Sequence, residues 1–410
     1  MSRKRVGSRF HPRGLLVTAW SLFAAWVLVR YGVRLGLLLY AELGLGMDTN
    51  IVDRDFANYW VGGRLVLGGN ALLLFDQPAY YAHLKTLFGE YYRVHAWSYP
   101  PHALPLVAPL GFLEYRPALV VFLAVTFALF AAAAAAFVKR YASSASKPLL
   151  ALALAGFVLL QIETTQNGFL MAALLLAALA FLRERPVIAG LCLALLTIKP
   201  QLGFLVPLIA IFDRNWRVLA WAAVFTVLLV GVSLAWFGVE PWRAYIDAVI
   251  PYQRHVMTHW RGEFLYMMPG VFGAARSLGY DPGMAFRVQL LVSVIAGVTL
   301  IALLMRLRDP LDRAGAVLIG TFLVSPYAFN YDMGAMSVAA ACLALRAADG
   351  GRGWAAGVYG ALAVLPAAVS PLAMHGAPVA PLLLAGGFVV LWVGAQRPAI
   401  PAAATINVPS

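Results

Sequence analysis

Charge is scarce in this chain of 410 residues, with Asp, Glu, Lys and Arg making up 12% of it against about 25% in an average soluble domain. Acidic residues are scarcer still, 18 against 31 Lys and Arg, and there are only two cysteines. The remainder is apolar, 62% hydrophobic with a mean hydropathy of +0.79. This composition excludes a soluble globular enzyme, a disordered chain and a nucleic-acid binder working from a solvated basic face. An outer-membrane β-barrel is excluded as well, because its strands would alternate apolar and polar residues with period two. Cys192 and Cys342 lie far apart inside apolar runs, which predicts small buried residues and neither a disulfide nor a metal site.

What is present is a series of apolar runs from Leu15 to Val393, the mark of an all-α polytopic membrane protein. The spans drawn are Leu15–Leu39, Ala118–Val138, Leu149–Leu160, Leu170–Leu182, Val187–Ile198, Leu202–Phe212, Val218–Phe237, Val288–Met305, Ala314–Val324, Gly334–Leu345, Ala355–Val369 and Ala380–Val393. Some are shorter than the ~20 residues a crossing needs, so about 10 to 13 membrane helices are expected, half-helices among them. Leu15–Leu39 follows a basic N-terminus but is long and has no small-residue cleavage site before Asp48. It reads as a retained first span, not a signal peptide.

Pro100–Leu113 decides the topology. Counted as a full crossing, it would place Lys139–Lys147, Arg183–Arg185, Arg214–Arg217 and Arg306–Arg313 outside. Counted as a re-entrant or shallow segment, it places all four inside, where Lys and Arg in short loops belong. On that choice 18 of the 31 Lys and Arg face the cytoplasm and 13 of the 18 Asp and Glu face the other way. The net charge of +13 is then an orientation signal for an inner (cytoplasmic) membrane protein with a cytoplasmic N-terminus. Membrane lipids are its expected surroundings and nucleic acid is not a partner.

The chain thus reads as one integral membrane domain, 1–410, with two long outer loops at 42–98 and 238–282 and a Pro/Ala tail, 396–410, expected to be disordered. In the second loop Trp242, Tyr245, Ile246 and Val249 are spaced three and four apart. That spacing predicts an amphipathic helix lying in the membrane interface, with Trp260 and Tyr266 as further anchors. Stretches 57–67 and 79–92 read similarly.

Five polar clusters map to the outer face: Asp53 to Trp60, Trp97 to His102, Gln161 to Asn167, Thr197 to Gln201, and Ser325 to Asp332. Ionisable groups in a membrane are costly, so Glu163 and Lys199 need a partner, a water-filled cavity or a ligand. Lys199 precedes a proline at a helix break, where a cation and unpaired backbone groups could meet a lipid phosphate. The plainer readings are a snorkelling lysine and, for Glu163, an ordinary hairpin residue. Moving a sugar from a phosphate leaving group to a hydroxyl needs a base for the hydroxyl proton, and Asp55 is the candidate. It also needs a cation to offset charge on the leaving phosphate, and Lys199 is the candidate. Asp53 shares the first role or caps the helix beginning near Asp55, and an N-cap is the plain alternative for either aspartate. His255 and His259 sit at i, i+4 without the acidic residue of a zinc-protease helix, so no metal or other cofactor is expected. His102 is a weaker site candidate.

Taken together these clusters resemble glycosyltransferase family 87. The resemblance is carried by Asp-Phe-Ala-Asn-Tyr-Trp-Val-Gly-Gly-Arg (Asp55–Arg64), Leu74-Phe75-Asp76, Tyr99-Pro100-Pro101-His102-Ala103-Leu104 and Ala108-Pro109-Leu110. Gln166-Asn167, Ile198-Lys199-Pro200-Gln201 and Ser325-Pro326-Tyr327 continue it in the same order. It implies a GT-C-like multispanning bundle that transfers a hexose, mannose in this family, from a polyprenyl-phosphate sugar donor to a lipid or glycan acceptor on the periplasmic side. Transfer would invert the anomeric carbon. Asp55 would be the base and Lys199 would lie near the donor phosphate, with Tyr59, Arg64, Tyr99, His102, Glu163, Gln166, Asn167, Gln201, Tyr327 and Asn330 as substrate contacts. The chain departs from the pattern at Asn330-Tyr331-Asp332, where a His is expected and Tyr331 or Asp332 would substitute. Two rivals stand beside this reading: a lipid or glycolipid transporter or flippase, which broken helices also suit, and a non-catalytic scaffold. Against the transporter, no inverted repeat is visible and the polar residues gather at one face.

Overall fold

A computed structural model of the chain describes residues 11–42, 55–90, 92 and 95–396, and every regular element among them is helical. Six helices are long and apolar enough to cross a membrane: α1 (Pro12–Glu42, apolar over Pro12–Gly36), α5 (Tyr115–Tyr141), α6 (Lys147–Thr164), α11 (Trp216–Phe237), α16 (Pro282–Arg306) and α19 (Gly353–Met374). Shorter apolar segments run beside them: α7 (Gly168–Phe181), α8 (Pro186–Leu195), α10 (Val206–Phe212, continuing the short α9, Pro200–Gly203) and α20 (Ala380–Ala395). The set is completed by α17 (Pro310–Val324) and α18 (Gly334–Asp349). The chain is a polytopic helical membrane protein, as its composition implied.

Local sequence explains where these helices start. Prolines stand in the first turn of α6, α8, α16, α17 and α20, where a fixed φ suits the helix and the missing N–H goes unmissed. Asp281 and Asp309 cap α16 and α17, accepting from Met284 N and Asp312 N. The apolar surface is then sorted by neighbour. α18 is buried along almost its whole length, and its alanine-rich sequence allows α17, α19 and α6 to approach closely. On α5, α11 and α16 the apolar side chains point outward instead, with Val120, Val227 and Leu290 each at least 65% exposed. Those are the surfaces lipid would cover.

The helix ends fall on two faces. At one face, ion pairs join Arg13 to Asp349 (3.0 Å), Arg346 to Asp309 (2.8 Å) and Arg183 to Asp213 (3.2 Å). Arg346 also meets Asp312, Arg313 also meets Asp213, and Arg140 pairs with Glu184. The opposite face holds Asp55, Glu163, Lys199 and Asp332. Residues 101–113 begin and end on this second face: His102 meets Thr197 just beyond α8, and the Leu113 carbonyl accepts from the Trp60 indole. Both ends of the segment therefore lie on the same side of the bundle.

Two expectations for the outer loops need correction. The helix α2 (Phe56–Leu67) does not lie on the membrane surface: nearly all of it is buried, beneath α4 (Leu104–Val107) and the turn Ala108–Phe112. The stripe Trp242–Val249 forms the predicted helix, as α12 (Glu240–Ala244), a π turn (Tyr245–Val249) and α13 (Ile250–His259). Yet Trp242 stacks on His102 and donates to Ser233, and Val249 is buried. Protein covers much of this face; of the four only Ile246 is exposed. By contrast α3 (Gln77–Phe88) is amphipathic as expected, burying Tyr80 and Leu84. Cys192 and Cys342 are buried free thiols. The tail after Gln396 lies outside the described residues.

The seating of α2 rests on Gly63 and Gly111. A Cβ at Gly63 would stand 2.5 Å from the Val107 carbonyl oxygen and 2.7 Å from the Gly111 nitrogen. Both obstacles are backbone, so the clash cannot be relieved by turning a side chain. Gly63→Ala is expected to cost about 1–3 kcal/mol of stability, read as a lower melting temperature in detergent. Gly36→Ala, where nothing lies within 4 Å, should leave the melting temperature unchanged or raise it.

Candidate active site

Asp55 occupies the N-cap position of α2, but its side chain makes no capping bond. The Phe56 N–H is satisfied from elsewhere, by the buried hydroxyl of Thr165 (3.2 Å). Thr165 sits in the hairpin between α6 and α7 with φ of 52°, a conformation a β-branched residue adopts only when surrounding contacts enforce it. Gln161 helps to do so by donating to the Tyr331 carbonyl. At Gly168 a Cβ would collide with that same carbonyl, so only glycine fits. The Asp55 carboxylate is thereby left to face a cavity, where Tyr59, one helical turn on, joins it. Asn58, between them in sequence, accepts from Tyr80.

Lys199 stands where the helix breaks between the turn Leu196–Ile198 and α9. Its ammonium lies 2.8 Å from Asp332 Oδ1, with both side chains buried. Asp332 Oδ2 accepts in turn from Phe329 N (3.3 Å). Burial works against the charge on Lys199, yet the Asp332 carboxylate outweighs it and holds the ammonium's pKa above its ordinary value. One of the three ammonium hydrogens serves Asp332, leaving two for a ligand. The rings of Tyr331 and Tyr99 flank the group at 5.0 and 6.0 Å.

A hydrogen-bonded chain of tyrosines and amides adjoins both Asp55 and Lys199. Tyr59 donates to Gln166 Oε1, the Tyr59 and Tyr99 hydroxyls are 2.8 Å apart, and Asn167 donates to Tyr99. Burial pushes the pKa of Tyr59, Tyr99 and Tyr327 upward, so they act as neutral hydrogen-bonding groups. The cavity encloses about 370 Å³, and its far wall is the stretch Tyr252 to Phe264, with Trp260 and Glu263 facing in. Across Tyr59, Tyr99 and Ile198 lies a second, apolar cavity of about 320 Å³ formed by α5, α7 and residues 103–110. Its rim residues Leu106, Val121 and Val125 lie on the exposed apolar surface, so this groove opens toward lipid.

The predicted residues divide accordingly. Asp55, Tyr59, Tyr99, Gln166, Lys199, Gln201, Tyr327 and Tyr331 line the polar cavity. Asn167 faces the apolar groove and reaches the site through Tyr99, while Asp332 stands behind Lys199. Four more lie outside the cavity lining. Asn330 is buried and its amide donates to Pro366 O and Ser370 Oγ, so it braces a loop. Arg64 is exposed, stacked over Trp60. Glu163 pairs with Arg34 (2.8 Å) outside the cavity lining. His102 is packed between Thr197 and Trp242. Asp53 lies outside the described residues. Unforeseen residues enter as well, His95, Tyr252, Trp260 and Glu263 among them. Trp260 carried a signal, its aromatic ring, that had suggested a membrane anchor; His95 carried none. No cluster of metal-ligating side chains occurs among the described residues.

The structure is thus a bundle of membrane helices that walls a polar-lined cavity at one face, beside an apolar groove. The family model of glycosyltransferase family 87 matches residues 97–326, more than half of the chain, and the chain belongs to that family. It is a membrane glycosyltransferase. No curated protein and no solved structure matches it. Asp55, His95 and Asp332 fall outside the matched stretch, so their roles rest on geometry.

Two outcomes follow from this packing. Lys199→Met would strand a buried carboxylate and is expected to cost about 3–5 kcal/mol, whereas the double variant Lys199→Met/Asp332→Asn should recover much of that stability in a melt. The second concerns His102, whose pKa burial pushes down from 6.5 to about 4; a proton on Nδ1 would find no acceptor there. The folded state holds fewer protons than the unfolded one, so this group's contribution to stability is full above 6.5 and is lost as the pH falls toward about 4. A His102→Gln variant should lose less melting temperature across that window than the wild type.

Proposed function

We propose that the enzyme transfers a hexose, mannose by the family resemblance, from a polyprenyl-phosphate sugar to a hydroxyl of a lipid-linked or cell-envelope acceptor. The observation that carries this reading is the convergence of Asp55 and Lys199 on one cavity that shares a wall with a lipid-open apolar groove. A donor of this kind has an isoprenoid chain, a phosphate and a sugar in that order, and the groove, Lys199 and the cavity lie in the same order. The acceptor approaches from the far wall at Trp260 and Glu263.

The reaction is a single displacement. Asp55 takes the proton of the acceptor hydroxyl as its oxygen bonds to the anomeric carbon. The bond from that carbon to the phosphate oxygen breaks on the opposite side, inverting the centre, and its electron pair passes to the phosphate. Lys199 faces the growing negative charge with its two remaining hydrogens, at a site where little water screens the interaction. Tyr59, Tyr99 and Gln166 orient the groups between. With the basic loops in the cytoplasm, this face looks into the periplasm of a cell whose inner membrane holds the enzyme.

Asp55→Asn in purified enzyme, incubated in detergent with a panel of polyprenyl-phosphate hexoses, is expected to lower transfer by ~10²–10⁴ with an unchanged melting temperature. Transfer near the wild-type rate would remove Asp55 from the role of base. Absence of any transfer by the wild type, alongside movement of the lipid between leaflets in vesicles, would favour a flippase.

A further inference from the structure

We infer that His95 is a positioning residue for the transfer reaction, holding Asp55 in the orientation from which it takes the acceptor proton; this rests on the reading of Asp55 as the base. His95 Nε2 lies 3.4 Å from Asp55 Oδ1, and both side chains line the polar cavity. The imidazole is largely buried and packs at a tilt against the ring of Tyr92, itself buried (centroids 5.1 Å, interplanar angle 35°). It is therefore a braced group and not a side chain sweeping through solvent.

The carboxylate needs such a brace. Asp55 is at a helix N-terminus, where its oxygens would ordinarily turn back to accept from the backbone of the first turn. No such bond forms, and Thr165 supplies an oxygen to the first N–H of α2 instead. What remains is a carboxylate with two unconstrained torsions at a partly open site, its side chain 33% exposed. A base that must meet a hydroxyl within hydrogen-bond reach loses rate when it samples other rotamers. An imidazole with its hydrogen on Nε2 fixes Oδ1 and leaves Oδ2 for the acceptor, in the manner of one group orienting another in hydrolytic triads. His95 forms no bond to substrate and takes no part in the bond exchange; the proton goes from the acceptor oxygen to Asp55.

This role predicts a pattern that general destabilisation would not produce. His95→Phe keeps the ring packing against Tyr92 and removes the N–H; His95→Gln keeps an N–H near the position of Nε2. His95→Phe is expected to lower kcat by about 10- to 100-fold, part of the ~10²–10⁴ general-base catalysis supplies. The KM for the polyprenyl-phosphate hexose and the melting temperature should stay at wild-type values. His95→Gln should recover kcat to within about fivefold of wild type, less than one decade on the scale of ~1.4 kcal/mol per tenfold. A wild-type kcat for His95→Phe beside an inactive Asp55→Asn would overturn the inference and leave Asp55 as the base. A His95→Gln no better than His95→Phe, or a loss confined to KM, would overturn it too. An active Asp55→Asn would overturn both.

Discussion

The buried ion pair between Lys199 and Asp332 is the contact on which the rest of the site depends. A lone ammonium at a helix break within a membrane bundle would be driven to lose its proton or leave. Asp332 prevents both, and the loop carrying it is a knot in the structure. Within four residues, Phe329 N binds the Asp332 carboxylate, Asn330 ties to Met267, Pro366 and Ser370, and the Tyr331 carbonyl receives Gln161. The cation is thus fixed to α6 and α19 as well as to its own broken helix.

Around that pair the protein divides a small volume between two solvents. On one side of Tyr59, Tyr99 and Ile198 the lining mixes polar and apolar groups, and on the other it is almost wholly apolar. The tyrosines suit a boundary because each offers a ring to the groove and a hydroxyl to the cavity. Their hydroxyl chain runs to Gln166 and Asn167, so the hairpin that withdraws the helix cap from Asp55 also sets the partition.

Much of this was legible in the sequence because it is local. Asp55 and Tyr59 are a helical turn apart, Lys199-Pro200 announces a break, and the Lys and Arg of short loops sort the helix ends. The residues whose surroundings the sequence did not reveal are those that meet a distant neighbour. The spacing of Trp242, Tyr245 and Val249 reveals an apolar face but not whether lipid or protein covers it. Asn330 is an amide among site residues whose partners, Pro366 and Ser370, lie on α19. Glu163 looked costly, and it is answered by Arg34 from a different helix. His95 had no periodicity and no motif around it, and only folding brings it to Asp55.

The backbone contact between Gly63 and Gly111 carries a mechanical consequence. With no side chain between them, the helix bearing the carboxylate and the segment walling the lipid groove are pressed into a single rigid part. A ligand that spreads the groove cannot do so on this flank without tilting α2. Occupancy of the groove is for that reason felt at the far end of the same lever, by the Asp55 carboxylate.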